Sequence, residues 1–67
     1  MTVKLSSNKG RLVAQATPTV QVRYDRQFNM IEVLEGKRIE AVNVTPEGYT
    51  LNQFCDYILK VQKVYNP

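Results

Sequence analysis

The sequence predicts a small α+β domain, an antiparallel sheet of three to five short strands with one C-terminal helix packed on it. Three observations predict it. Apolar and polar residues alternate over residues 20–25, and a hairpin connection at residues 35–37 joins two apolar runs. Apolar residues then recur at helical spacing over residues 51–65. A chain of 67 residues forms one domain at most and buries only about 60% of the surface that its unfolded form exposes.

The first 18 residues are the least determined part of the chain. A turn cluster at residues 6–10 precedes residues 11–16, which form either a second short strand or a mobile arm. Proline at position 18 ends this segment, because the residue before a proline avoids the helical conformation. We therefore distinguish an N-terminal segment, residues 1–18, from a single β-hairpin-plus-helix domain, residues 19–67, that is continuous with it.

The stretch VRYDRQF places two arginines around a tyrosine. Alternation puts Tyr24 on the side of Val20 and Val22, and puts Arg23 and Asp25 on the other side. A stacking platform for nucleic-acid bases requires an aromatic ring that is exposed among cations. Because Tyr24 falls on the apolar side, we interpret the stretch as a structural strand that leads into a polar turn.

The hairpin after this turn has two candidate registers. A two-residue loop places Ile31 opposite Glu40, whereas a three-residue loop matches apolar residues on both faces, so the sequence favours the longer loop. The predicted pairs are Val33 with Ile39, Ile31 with Ala41, Met30 with Val42 and Phe28 with Val44. This register also opposes Glu32 to Glu40, the nearest carboxylate pair in the chain.

The favoured register gives the hairpin two apolar faces. One carries Phe28, Met30, Val42 and Val44, and the other carries Ile31, Val33, Ile39 and Ala41. A single amphipathic helix covers only one of these faces. The second face meets the N-terminal segment, another copy of the chain or a partner, and the sequence leaves these alternatives open.

The C-terminal helix is predicted from residue 51 to about residue 64. Thr50 suits the N-cap, Gln53 completes a capping box, and Tyr49 and Phe54 have the spacing of a hydrophobic staple. The apolar stripe that faces the sheet consists of Leu51, Phe54, Cys55, Ile58, Val61 and Tyr65. On this stripe we expect Cys55 to be a small buried hydrophobic residue.

The composition argues against catalysis. The chain has no histidine, one cysteine and no glycine-rich phosphate loop, so it lacks the usual groups for acid–base, nucleophilic and phosphate chemistry. A single cysteine excludes an internal disulfide, and without histidine a zinc site lacks ligands. We expect neither enzymatic activity nor a bound metal or cofactor.

The sequence instead favours a small non-catalytic module that binds another protein, as a regulatory, inhibitory or adaptor subunit. The chain is short, lacks catalytic residues, and has more apolar sheet surface than one helix covers. The expected partner-binding residues are Arg23, Arg26, Lys37 and Arg38 for polar contacts and Tyr57 as an aromatic anchor. A homodimer is a further expectation, since small domains often gain stability by association.

The alternative is a small basic protein that uses the same cations on the phosphate backbone of a nucleic acid. Nine lysines and arginines against six acidic residues give a net charge of +3, which permits this contact without requiring it. No apolar run reaches membrane-spanning length and no targeting segment is evident, so we expect a cytoplasmic protein without membrane contact.

The predicted capping box is open to a direct test. We expect Thr50→Ala to lower the free energy of unfolding by about 1 kcal/mol, because the first helical turn loses a hydrogen-bond acceptor. Urea unfolding followed by circular dichroism measures the loss. Thr50→Ser retains the hydroxyl and serves as the control, and an unchanged stability in Thr50→Ala would place the helix start elsewhere.

Overall fold

The structure is a computed structural model that describes residues 5–8 and 10–66. Five strands and one helix confirm the predicted α+β fold. The elements are β1 (Leu5–Asn8), β2 (Arg11–Gln15), β3 (Val20–Asp25), β4 (Met30–Glu35), β5 (Arg38–Val44) and α1 (Leu51–Tyr65). The strands form one antiparallel sheet in the order β1-β2-β3-β4-β5, so each strand pairs with its neighbours in the chain.

The described part of the N-terminal segment extends the sheet. Residues 1–4 and 9 of that segment lie outside the described residues. The predicted turn cluster at residues 6–10 is too long, because Ser6 and Ser7 belong to β1 and pair with Val13 and Leu12 of β2. β1 and β2 therefore lie beside β3 in the same layer and do not pack across the hairpin.

The core lies between α1 and one face of the sheet, which we call the inner face. Alternation in β3 brings Val20, Val22 and Tyr24 to this face, and all three are buried. The Tyr24 ring packs against Phe54 and Tyr49, with ring centroids 5.2 and 5.4 Å away. Tyr24 is only 6% exposed, so the structural interpretation of VRYDRQF is confirmed.

Helix α1 begins with the predicted capping box. The Gln53 backbone N–H donates to Thr50 Oγ1 at 3.2 Å, and the Thr50 N–H donates to Gln53 Oε1 at 2.8 Å. The two bonds satisfy donors that a helix N-terminus otherwise leaves without partners. The staple residues Tyr49 and Phe54 both pack on Tyr24, which places the first turn of α1 over β3.

The buried stripe of α1 is narrower than the sequence predicts. Phe54, Ile58 and Val61 are its buried residues, whereas Leu51 is exposed and Cys55 is half-buried. The expectation of a buried Cys55 is therefore wrong. A helix resting on a sheet buries only the side chains that point at the sheet, and Leu51 and Cys55 lie beside that line of contact.

The turn between β3 and β4 depends on Asp25 and Asn29. Asp25 Oδ1 accepts hydrogen bonds from the backbone N–H groups of Gln27 at 3.0 Å and Phe28 at 3.3 Å. Asn29 has a φ of 52°, a left-handed conformation that asparagine tolerates better than most residues, so the turn needs no glycine. Phe28 lies in this turn, outside β4, and the predicted pairing of Phe28 with Val44 is wrong.

The β4–β5 hairpin adopts neither register considered from the sequence. Its loop is Gly36-Lys37, and Gly36 has the positive φ, 60°, that the first position of a II′ turn requires. The observed pairs are Glu35 with Arg38, Leu34 with Ile39, Val33 with Ala41, Glu32 with Val42, Ile31 with Asn43 and Met30 with Val44. The other predicted pairs are therefore wrong too.

A β-bulge causes this difference. The register shifts between Val33 and Leu34, so Glu40 has no directly opposed partner on β4. The shift moves Ile39 to the face opposite α1, which we call the outer face, and corrects the predicted grouping of Ile39 with Ile31. Val42 and Val44 lie on the outer face with Met30, as predicted.

The burial of the Tyr24 ring predicts a large loss of stability when the ring is removed. We expect Tyr24→Ala to reduce the free energy of unfolding by about 3–5 kcal/mol, the range for truncation of a large buried aromatic residue. Tyr24→Phe keeps the ring and should cost far less. Urea unfolding of both variants measures the two losses, and a near-neutral Tyr24→Ala would contradict the burial of this ring.

Candidate functional site

The two edges of the described sheet differ in length and chemistry. β1 is a four-residue edge with two serines at its centre, whereas β5 is a seven-residue edge. Short polar edges resist pairing with another chain, and long apolar edges invite it. β5 is therefore the longer and more apolar edge of the described sheet.

The backbone of β5 presents hydrogen-bonding groups to solvent. The Thr45 N–H donates to the Asn29 carbonyl at 2.7 Å. This bond establishes which opposed residues of β4 and β5 form hydrogen-bonded pairs and which form non-hydrogen-bonded pairs. Asn43, two residues earlier, bonds to β4 in the same way, while Val42 and Val44 sit in non-bonded pairs. The N–H and C=O groups of Val42 and Val44 consequently point away from β4.

The side chains of β5 are exposed as well. Val42 is 53% exposed and Val44 is 78% exposed on the outer face, and Ile39 joins them there because of the bulge. Phe28 is exposed in the turn that contains Asn29, whose carbonyl accepts a hydrogen bond from Thr45, the residue after β5. None of the described segments covers this apolar strip.

An apolar groove runs along the inner face between β5 and the C-terminal half of α1. Its volume is about 280 Å³, with Val33 and Ala41 contributing from the sheet. Val61, Val64 and Tyr65 contribute from the helix. The groove exists because α1 packs over β3, which leaves β5 only partly covered.

Tyr57 connects the helix to β5 beside this groove. Asn43 Nδ2 donates a hydrogen bond of 2.8 Å to Tyr57 Oη, and the Tyr57 ring is half-buried against the core. Tyr57 and Lys60 also line the groove. The predicted aromatic anchor therefore lies at the candidate site, with its hydroxyl already bonded to β5.

The predicted cations, unlike Tyr57, do not line the groove. Arg23 lies opposite Glu32 on the outer face, with 3.6 Å between Nη2 and Oε1, and its buried Nε has no acceptor among the described residues. Arg38 Nε lies 3.6 Å from Glu40 Oε1 at the start of β5. The predicted opposition of Glu32 and Glu40 is wrong, because Glu32 pairs with Val42 and Glu40 has no directly opposed residue. Each carboxylate has an arginine beside it instead.

The structure does not gather the predicted cations into one patch. Arg26 lies in the turn before β4, whereas Lys37 and Arg38 lie at the other end of that strand. Six residues of extended chain put roughly 17 Å between these positions. Only Lys37 and Arg38 adjoin β5.

Val42 and Val44 were predicted to lie on an apolar face but were not among the predicted binding residues. The sequence does indicate that β5 is an edge strand, because no further strand-like segment follows it before the helix. In a sheet of consecutive antiparallel strands the last strand is an edge. Asn43 carried no comparable signal, since its contact with Tyr57 depends on the tertiary packing.

Titration and metal chemistry add little at this site. Burial raises the pKa of Tyr49, with a smaller effect from nearby Tyr24, so the Tyr49 phenol is neutral around pH 7. Over residues 5–8 and 10–66, no three acidic or cysteine side chains come together as a metal site would need. The arrangement is suited to contact and hydrogen bonding.

Comparison of the chain with known protein families, with curated protein sequences and with solved structures finds no significant match. In the described ranges, no helix is long and apolar enough to cross a membrane.

The orientation of the β5 backbone predicts an asymmetric response to proline. We expect Val44→Pro to be tolerated within about 1 kcal/mol, because the lost N–H points to solvent and edge strands accept proline. Asn43→Pro should cost about 1–3 kcal/mol more, since the Ile31 carbonyl loses its donor. Urea unfolding compares the variants, and equal losses would contradict the assigned alternation.

Proposed function

We propose that the protein is a small non-catalytic module that binds another protein through β5. The observation that carries the proposal is an edge strand with outward-facing backbone groups at Val42 and Val44 and apolar side chains at the same positions. Such an edge is a template for pairing, and natural proteins usually protect it. A regulatory, inhibitory or adaptor subunit would use the edge in this way.

The proposed interface includes part of the predicted set. Lys37 and Arg38 flank the start of β5, and Tyr57 lies beside the groove. Arg23 is two strands away from β5, and Arg26 occupies a turn at the far end of β4, so both stay outside the proposed interface. The bulge and the cations at the start of β5 limit pairing to its second half, residues 41–44.

Binding to a nucleic acid through the phosphate backbone is the weaker proposal. It requires cations that follow one surface, because each neutralised phosphate adds to the affinity. Among the described residues, Arg11, Arg23 and Arg38 are engaged by Asp25, Glu32 and Glu40 respectively. Arg26 and Lys37 lie at opposite ends of β4, so the described arginines and Lys37 do not line up along one surface.

Two lysine variants distinguish these proposals. Val42 and Leu51 have nearly equal exposure, 53% and 51%, but Val42 lies on β5 and Leu51 on the first turn of α1. Both substitutions add one positive charge. Lysine on an edge strand opposes pairing with another chain, and at position 42 it faces Glu32, so the fold should be retained.

We expect immobilised wild-type chain and Leu51→Lys to retain the same protein from an extract of the source cells, and Val42→Lys to lose it. Fluorescence anisotropy with single- and double-stranded oligonucleotides at low salt provides the second measurement. A nucleic-acid function predicts tighter oligonucleotide binding by both variants and affinity that falls with salt. That result, or retention unaffected by Val42→Lys, would contradict the proposed interface.

A further inference from the structure

We propose that β5 receives an extended, acidic segment of the partner, which adds a sixth strand to the sheet and places an apolar side chain in the groove beside α1. This inference rests on the proposed function and names the chemistry of the partner at the same surface. Three independent features of the site support it: its backbone groups, its groove and its charges.

The backbone groups set the conformation of the partner. Val42 and Val44 together offer two N–H donors and two C=O acceptors on the open side of β5. An extended segment satisfies all four at the ordinary strand spacing of about 4.8 Å, whereas a helix has no free backbone groups to do so. Addition of a strand to an exposed sheet edge is an established mode of peptide recognition.

The groove and the outer apolar strip determine which side chains of the partner segment are apolar. Residues of an added strand that lie beside Val42 and Val44 face the outer apolar strip, and those beside Ala41 and Asn43 face α1. On that inner side the groove of about 280 Å³ is lined largely by apolar atoms of residues such as Val61 and Val64. The partner segment therefore carries apolar residues next to β5 on both faces.

The charges around the groove favour an acidic segment. Lys60 lines the groove, and Lys37 lies at the loop that precedes β5. Within the described part of the chain neither lysine forms an ion pair, whereas Glu40 has Arg38 beside it. The whole chain carries a net charge of +3, which adds a favourable long-range attraction for carboxylates.

A second copy of the chain fits this site less well. Its own β5 would present Ala41 and Asn43 on the inner side, one too small and one too polar to fill the groove. A copy would also bring Lys37 and Lys60 into an interface that already contains them. Like charges near an interface disfavour association, so we assign the site to a different, acidic chain.

Selection of displayed peptides on the full chain tests this inference. Random twelve-residue peptides displayed on phage are selected against the immobilised protein, and enriched sequences are synthesised and titrated into the ¹⁵N-labelled chain. We expect acidic sequences with alternating apolar residues, and amide shifts concentrated at Val42, Val44 and Val64.

Two matched pairs of variants locate the contact. Val44→Pro removes one outward N–H and should weaken binding about tenfold, the equivalent of one net hydrogen bond, whereas Val44→Thr keeps this donor and should change affinity little. Lys60→Glu should weaken binding of the acidic peptides. Lys63→Glu should not, because Lys63 lines a different depression on α1, with Leu59 and Gln62.

Each contrary outcome is distinct. Enriched peptides that bind Val44→Pro as tightly as wild type, or that are basic, would overturn the inference while leaving a protein-binding function elsewhere on the chain. Shifts at Val42 and Val44 that appear with protein concentration alone would assign the edge to a second copy. If no peptide is enriched, the acidic-segment inference fails, and the capture experiment with Val42→Lys still decides the proposed function separately.

Discussion

One helix has to cover a five-stranded sheet, and this constraint determines which surfaces of the protein remain open. Five strands at the usual spacing make a sheet roughly 19 Å wide, whereas a helix with its side chains is about 10–12 Å across. The Tyr24 ring holds α1 over β3 through its contacts with Phe54 and Tyr49. With the helix positioned there, β5 is only partly covered, and the outer face lies on the opposite side of the sheet from the helix.

The outer face of the sheet is polar over β2 and β3 and apolar along β5. On the outer face of β2 and β3, cross-strand pairs such as Arg11 with Asp25 offset the charges that the strands carry. On β5 the corresponding positions are Val42 and Val44, which have no described side chain above them. Exposed apolar surface next to unpaired backbone groups is typical of a binding edge, and ordinary surface positions rarely combine the two.

Much of the fold was predictable from the sequence because its signals are local. The alternation that buries Tyr24 and the capping box of Thr50 and Gln53 each depend on residues a few positions apart. The hairpin register was not predictable in this way, because a bulge at Glu40 shifts the pairing partway along β5. Matching apolar residues in pairs assumes an uninterrupted ladder, so it does not detect such a shift.

The candidate site was predictable only in part. Lys37, Arg38 and Tyr57 lie at or beside β5. Arg23 has its partner Glu32 across the β3–β4 pair, whereas Arg38 has Glu40 two residues along the same strand, beside the bulge. The groove likewise depends on where α1 packs on the sheet, and no single stretch of sequence determines that position. Positions on one strand are predicted by alternation, whereas surfaces shared by two elements require their packing.

Amide hydrogen exchange of the free chain, measured by NMR at low protein concentration, shows whether the β5 edge is open. An open β5 edge predicts fast exchange at Val42 and Val44. It predicts slow exchange at Asn43, whose N–H bonds to β4, and at Thr45, whose N–H bonds to the Asn29 carbonyl. Slow exchange at Val42 and Val44 in the isolated monomer would contradict it. The edge would then be covered already, or β5 would pair with β4 in another register.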